Sequence, residues 1–133
     1  MLVCIDSNVL LGMFTPEHAH RPIFNAWFVG RLHWAASTEI MQRHASQAKA
    51  DAMMQIIALV NARHGNLLPV SPSFRFHLIT GDADDNKFAD CAIAAEADFI
   101  ITADHHFDAL RGSGYKPQPV TPEEFIRLHL GGG

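Results

Sequence analysis

The chain has 133 residues, of which 48% are apolar and 18% charged, and its net charge is −4. That length gives one domain with a real core, and that composition excludes a disordered chain. The acidic balance argues mildly against a nucleic-acid binder that works through net charge, although an acidic metal site would itself supply much of the deficit. No apolar run reaches the ~18 residues that span a bilayer, and the chain opens on a strand-like run instead of a signal peptide. A cytoplasmic protein without a membrane partner is therefore expected. Cys4 and Cys91 both sit in apolar runs, which predicts buried, reduced thiols.

Taken in order, the pattern alternates strand and helix. Residues 2–5 read as a short buried strand followed by a turn-like Asp6-Ser7-Asn8. Pro22 opens a helix to about Val29, with Ile23, Ala26 and Trp27 on one face. His33–Ala36 is a short strand, and Ser37 or Thr38 caps a helix that continues through Ile40 and Met41. Met53, Ile56, Ile57 and Val60 recur at helical spacing until Gly65 stops the run. Residues 67–70 form a strand that Pro69 assigns to an edge. After a Pro/Ser/Gly-rich connection over 71–83 come a helix at 85–96, a strand at 98–102, a weaker strand at 118–120 and a helix at 122–130. The chain thus reads as one domain over residues 1–130 with a flexible glycine tail at 131–133. Such alternation predicts an α/β fold with a mostly parallel sheet of four to five strands covered on both faces.

In open α/β sheets ligands bind beyond the carboxyl ends of the strands. Asp6 follows the first strand and Asp104 follows the strand at 98–102, so both acids emerge at one edge if those strands are parallel neighbours. Asp85 falls in the first turn of the preceding helix, where the helix dipole favours a negative group. Asp90 lies five residues on, roughly 140° around the axis, too far round for both to meet one ion through an undistorted helix. Buried carboxylates are costly unless paired or metal-bound, so this convergence points to Mg²⁺ or Mn²⁺, which prefer hard oxygen ligands. Taken singly, each acid has an ordinary explanation: Asp85 and Asp6 as caps, Asp104 as a solvated loop acid. Two other chemistries fail. The spacing Asp82-x-Asp84-x-Asn86 imitates a calcium loop, but Lys87 and Ile93 occupy the glycine and closing-glutamate positions. A phosphatase pair on Asp6 would need an acid at position 8, which is Asn8.

These residues resemble a known family. Ile5-Asp6-Ser7-Asn8-Val9-Leu10 is similar to the "DTNVL" opening of PIN-domain proteins, and Asp85–Ala94 with Ala97–Asp104 resembles their "DDNKFLECALAAGADYIVTGD" block. Val120-Thr121-Pro122-Glu123-Glu124-Phe125 resembles the "ILTPEEFL" close of one bacterial branch, the VapC-like toxins of toxin–antitoxin pairs. The resemblance implies a three-layer α/β/α sandwich and an Mg²⁺- or Mn²⁺-dependent ribonuclease. By position it assigns metal-binding acids to Asp6, Asp85 and Asp104 and a further catalytic acid to Asp90. An RNA substrate, an antitoxin and a second copy of the chain are the implied partners.

One departure stands out. Such proteins follow a serine at the end of the second strand with a glutamate six residues on; here Ser37 leads to Arg43. Glu39, one turn earlier on the same helical face, either forms an ordinary i,i+4 ion pair with Arg43 or replaces the missing acid. Arg43 would otherwise neutralise the site in place of one cation. The quartet is incomplete in either case, which keeps open a weakened binding or regulatory module. Charge alone makes Arg43, Lys49 and Lys87 candidate phosphate contacts. Asn8 is a candidate for hydrogen bonding at the site or a plain turn residue. His105 and His106 read as surface or supporting residues, with His18 and His20 as candidates for the cleft mouth.

Overall fold

The computed structural model describes residues 1–36, 47–69 and 83–131. Its strands are β1 (Leu2–Ile5), β2 (His33–Ala36), β3 (Leu67–Pro69), β4 (Phe99–Ile101) and β5 (Gln118–Val120). Its helices are α1 (Ser7–Met13), α2 (Arg21–Phe28), α3 (Gln47–His64), α4 (Ala83–Ala94) and α5 (Pro122–His129), with a 3-10 helix at His105–Leu110. The five strands form one sheet in the order β3-β2-β1-β4-β5, and every pairing is parallel. As expected, β1 and β4 are central neighbours, in the register Val3–Phe99, Cys4–Ile100 and Ile5–Ile101. β3, with its proline, is an edge.

Parallel strands bury both faces, and side chains alternate between them. Val3, Ile5 and Ile101 face one apolar layer, which also holds Trp27 of α2, Ile57 of α3 and Phe125 of α5. Cys4 and Ile100 face the other, with Ala89, Cys91 and Ala92 of α4 and with Phe107 and Leu110 of the 3-10 helix. The aromatic side is centred on Trp27 and Trp34, fully buried and perpendicular at 5.3 Å. The result is a three-layer α/β/α sandwich.

Two helices differ from the sequence expectation. Residues 7–13 form α1 where only a turn was expected, because Val9, Leu10 and Met13 bury one stripe of a helix too short to show a repeat. The 3-10 helix at 105–110 was likewise not foreseen; its polar residues obscure the buried pair Phe107 and Leu110. α4 starts and stops two residues earlier than expected, at Ala83 and Ala94. The long helix stops where expected: Gly65 takes φ +62 and its N–H reaches the Asn61 carbonyl at 2.8 Å. The Ser37/Thr38 cap, the helix through Ile40 and Met41, and residues 132–133 of the glycine tail lie outside the described residues, as does all of the 71–83 connection except Ala83.

The strand order has a functional consequence. From β1 the chain winds outward through β2 to β3, then returns to β4 on the opposite side of β1. The direction reverses between β1 and β4, and a crevice opens beyond their carboxyl ends at such a switch point.

Candidate active site

Asp6 is the first residue beyond β1. Its N–H extends the sheet by donating to the Ile101 carbonyl at 3.0 Å, and its own carbonyl accepts the first helical bond of α1, from Leu10 at 2.8 Å. Asp6 therefore sits at the N-cap of α1, in extended backbone (φ −61, ψ 146), yet its side chain makes no capping bond. Oδ2 instead accepts from the Thr102 hydroxyl at 2.8 Å, and the residue is 5% exposed. The capping explanation for Asp6 thus describes its backbone and not its carboxylate.

Thr102, the first residue beyond β4, carries the connection between the acids. Its hydroxyl donates to Asp6 and accepts the Asp104 N–H at 3.0 Å. One buried hydroxyl thereby orients the first carboxylate and folds the backbone that presents the second. The sequence reading passed over Thr102. A threonine at a strand exit can close a turn on the N–H two residues on, but any residue there supplies that N–H, so the sequence alone carries only a weak signal. Asp104 is half-buried and lines a cavity of about 240 Å³ with Thr102, His105, Asp108, Arg111 and Thr121.

Asp90 is 1% exposed, between Ala89 and Cys91 on the part of α4 that packs against β1. Burial there extends over Ala89–Ile93 and so wraps more of the helix than the single sheet-facing stripe expected from sequence. The backbone of α4 includes Asp85, but the side chains of Asp85 and Lys87 lie outside the described residues, as do those of Asn8, Lys49 and His106. Glu39 and Arg43 lie outside them entirely. Among the described residues no three His, Cys, Asp or Glu side chains come together as a metal-binding group. Asp6 and Asp104 supply hard oxygen donors at one edge, the chemistry that Mg²⁺ or Mn²⁺ prefers, and a third acid would have to come from residues such as Asp85.

The cysteines are free thiols, both buried. The hydrogen bond to Cys91, together with burial, pushes the Cys4 thiol well above its ordinary range, which leaves it protonated and inert. His105 is on the surface, as expected. His18 and His20 face each other at 4.4 Å between ring centroids, with His20 Nε2 3.4 Å from Glu123 of α5. That ring pair covers Gly12 so closely that a Cβ there would lie 2.7 Å from the His18 ring.

Comparison with known proteins gives one match. A family model described as PIN domain matches residues 2–106. No curated protein and no solved structure matches.

Proposed function

The chain belongs to the PIN-domain family, whose members are in general nucleases that use divalent metals and act on nucleic acids, and from that premise we propose that it is an Mg²⁺- or Mn²⁺-dependent endoribonuclease, the toxin of a toxin–antitoxin pair acting in the cytoplasm. The observation that supports this best is the juxtaposition of Asp6 and Asp104 through Thr102 at the switch point between β1 and β4. Asp6, Asp104 and Asp85 are the residues that would hold the ion, with Asp90 as a further catalytic acid and Asn8 and Glu39 as supporting groups. Such an ion supplies a more acidic bound water and stabilises charge on the attacked phosphate. The Thr102 hydroxyl fixes the direction of the Asp6 carboxylate, and burial keeps that carboxylate from being screened by water. The partners that follow from this reading are single-stranded RNA, an antitoxin protein and a second copy of the chain.

A second reading follows from Arg43, which stands where a glutamate is expected. A guanidinium near the carboxylates would compete with cations for the same oxygens, leaving a module that binds or regulates without cutting. Calorimetric titration of Mn²⁺ separates the two. The nuclease binds Mn²⁺ and cleaves single-stranded RNA until a chelator is added; the weakened module does neither. Asp6→Asn removes the charge while nearly keeping the shape, and abolishes cleavage by the nuclease. Cleavage that survives both the chelator and Asp6→Asn refutes metal-carboxylate hydrolysis.

A further inference from the structure

A 3-10 helix repeats every three residues, so positions i and i+3 eclipse one another and stack in a row. His105, Asp108 and Arg111 occupy one such row, and Arg111 continues it by donating its N–H to the Asp108 carbonyl at 3.0 Å. Within the row the Asp108 carboxylate lies 3.7 Å from His105 Nδ1 and 3.4 Å from Arg111 Nε. Arg111 Nη2 also donates to the Pro119 carbonyl in β5 at 3.4 Å. These contacts engage two of the five N–H donors of a guanidinium and bias its direction towards the cavity rim, while the side chain remains 60% exposed. All three residues line the same cavity of about 240 Å³ as Asp104 and Thr102. The proposed hydrolysis makes no use of Arg111.

We propose that this cavity is a subsite for the nucleotide adjoining the scissile phosphate of a single-stranded RNA, with Arg111 donating to that nucleotide's phosphate; the inference rests on the ribonuclease reading above. An RNA strand carries a negative charge at every nucleotide. The phosphate being cut has its charge met at the acid end of the cleft by the bound cation. The next phosphate along has no such help and faces a chain with net charge −4. A cationic donor beside the acids eases that conflict, and a guanidinium matches phosphate oxygens with parallel N–H groups as an ammonium cannot. Asp108 offsets part of the charge of Arg111 and in return holds it in place, as does Pro119. Holding it in advance reduces the ordering cost that a free arginine would meet on binding.

The experiment measures single-stranded RNA cleavage in Mn²⁺ over a range of salt concentrations for the wild type, Arg111→Ala, Arg111→Gln and Arg111→Lys, with Mn²⁺ affinity measured by calorimetry and folding by thermal melts. Loss of one charged hydrogen bond at an exposed site raises KM roughly five- to tenfold. The salt slope of kcat/KM falls by about 0.7, the value for one phosphate contact on a single strand. Arg111→Gln behaves like Arg111→Ala, Arg111→Lys recovers part of KM and the salt slope, and Mn²⁺ affinity does not move. If Arg111→Ala and Arg111→Gln keep the wild-type KM and salt slope, with or without a lower melting temperature, Arg111 is only a brace between the 3-10 helix and β5 and the subsite is refuted, while the ribonuclease reading stands. If the wild type shows no metal-dependent cleavage of RNA, that reading fails and the subsite falls with it.

Discussion

At the scale of single residues, the carboxylates divide by what holds them. The Asp6 carboxylate accepts from the Thr102 hydroxyl, which in turn accepts the backbone N–H of Asp104. Asp98, on the opposite edge of the sheet, is a structural acid. Its Oδ2 accepts the Leu2 N–H at 2.9 Å, its backbone N–H donates to the Leu2 carbonyl at 2.7 Å, and Lys116 lies 3.2 Å away. The Leu2 N–H first, and Lys116 after it, hold the Asp98 carboxyl below the usual carboxylate range. A depressed folded pKa adds stability that is present above the unfolded value of about 4 and is lost as pH falls through the folded value. Asp98→Asn is therefore expected to destabilise the protein at pH 7, and its gap from the wild type should close progressively below about pH 4. Urea melts of both proteins at pH 7 and pH 3 check this, and an equal gap at the two pH values would contradict it. The acids at strand ends were legible because a charged residue closing an apolar run has few uses. Thr102 was not, because threonine is at home inside strands as well as at their ends.

At the scale of elements, the same contrast explains which parts could be read from sequence. β1, β2, β3 and β4 show in runs rich in apolar residues, β5 (Gln118-Pro119-Val120) only weakly, and α3 shows in its long 3.6-residue repeat, closed by Gly65. α1 and the 3-10 helix span only 7 and 6 residues, and what defines them is contact with the sheet, which no local repeat reveals. Buried polar residues that join elements are equally hidden. Asn66 is 1% exposed, just before β3, and its Nδ2 donates to the carbonyls of Trp27 at 2.7 Å and Leu32 at 2.9 Å. One amide thus satisfies the carbonyls at the end of α2 and before β2. Asn66→Ala removes the amide from both, although the Trp27 carbonyl keeps the Gly30 N–H at 3.0 Å, and should cost about 1–3 kcal/mol, chiefly from the Leu32 carbonyl. Asn66→Asp should cost more, because it turns a carboxylate towards two carbonyl oxygens. Denaturant midpoints of the three proteins test the order; an aspartate variant as stable as the wild type would show that these carbonyls find other partners.

At the scale of the molecule, the sheet separates two layers of different character. α2 buries Ile23, Phe24, Ala26 and Trp27, whereas the described core positions of α4 are Ala89, Cys91, Ala92 and Ile93. Large apolar side chains each contribute roughly 2 kcal/mol on burial, so among the described residues α2 is anchored by more apolar area. The helix that bears Asp85 and Asp90 is thus expected to open at lower free energy than α2, with amides of residues 89–94 exchanging faster than those of 23–27. α4 packs against β1. A cation held jointly by Asp6, Asp104 and Asp85 would clamp α4 to the sheet. At a hundred times its dissociation constant it would raise the opening free energy of α4 by about 2.7 kcal/mol. Hydrogen exchange with and without Mn²⁺, in the wild type and in Asp6→Asn, reads this directly. The expected result is slower exchange in α4 on adding Mn²⁺ to the wild type and little change in the variant. Slower exchange confined to the ends of β1 and β4 would mean that the ion takes no ligand from α4, and that Asp85 has no place in the metal site.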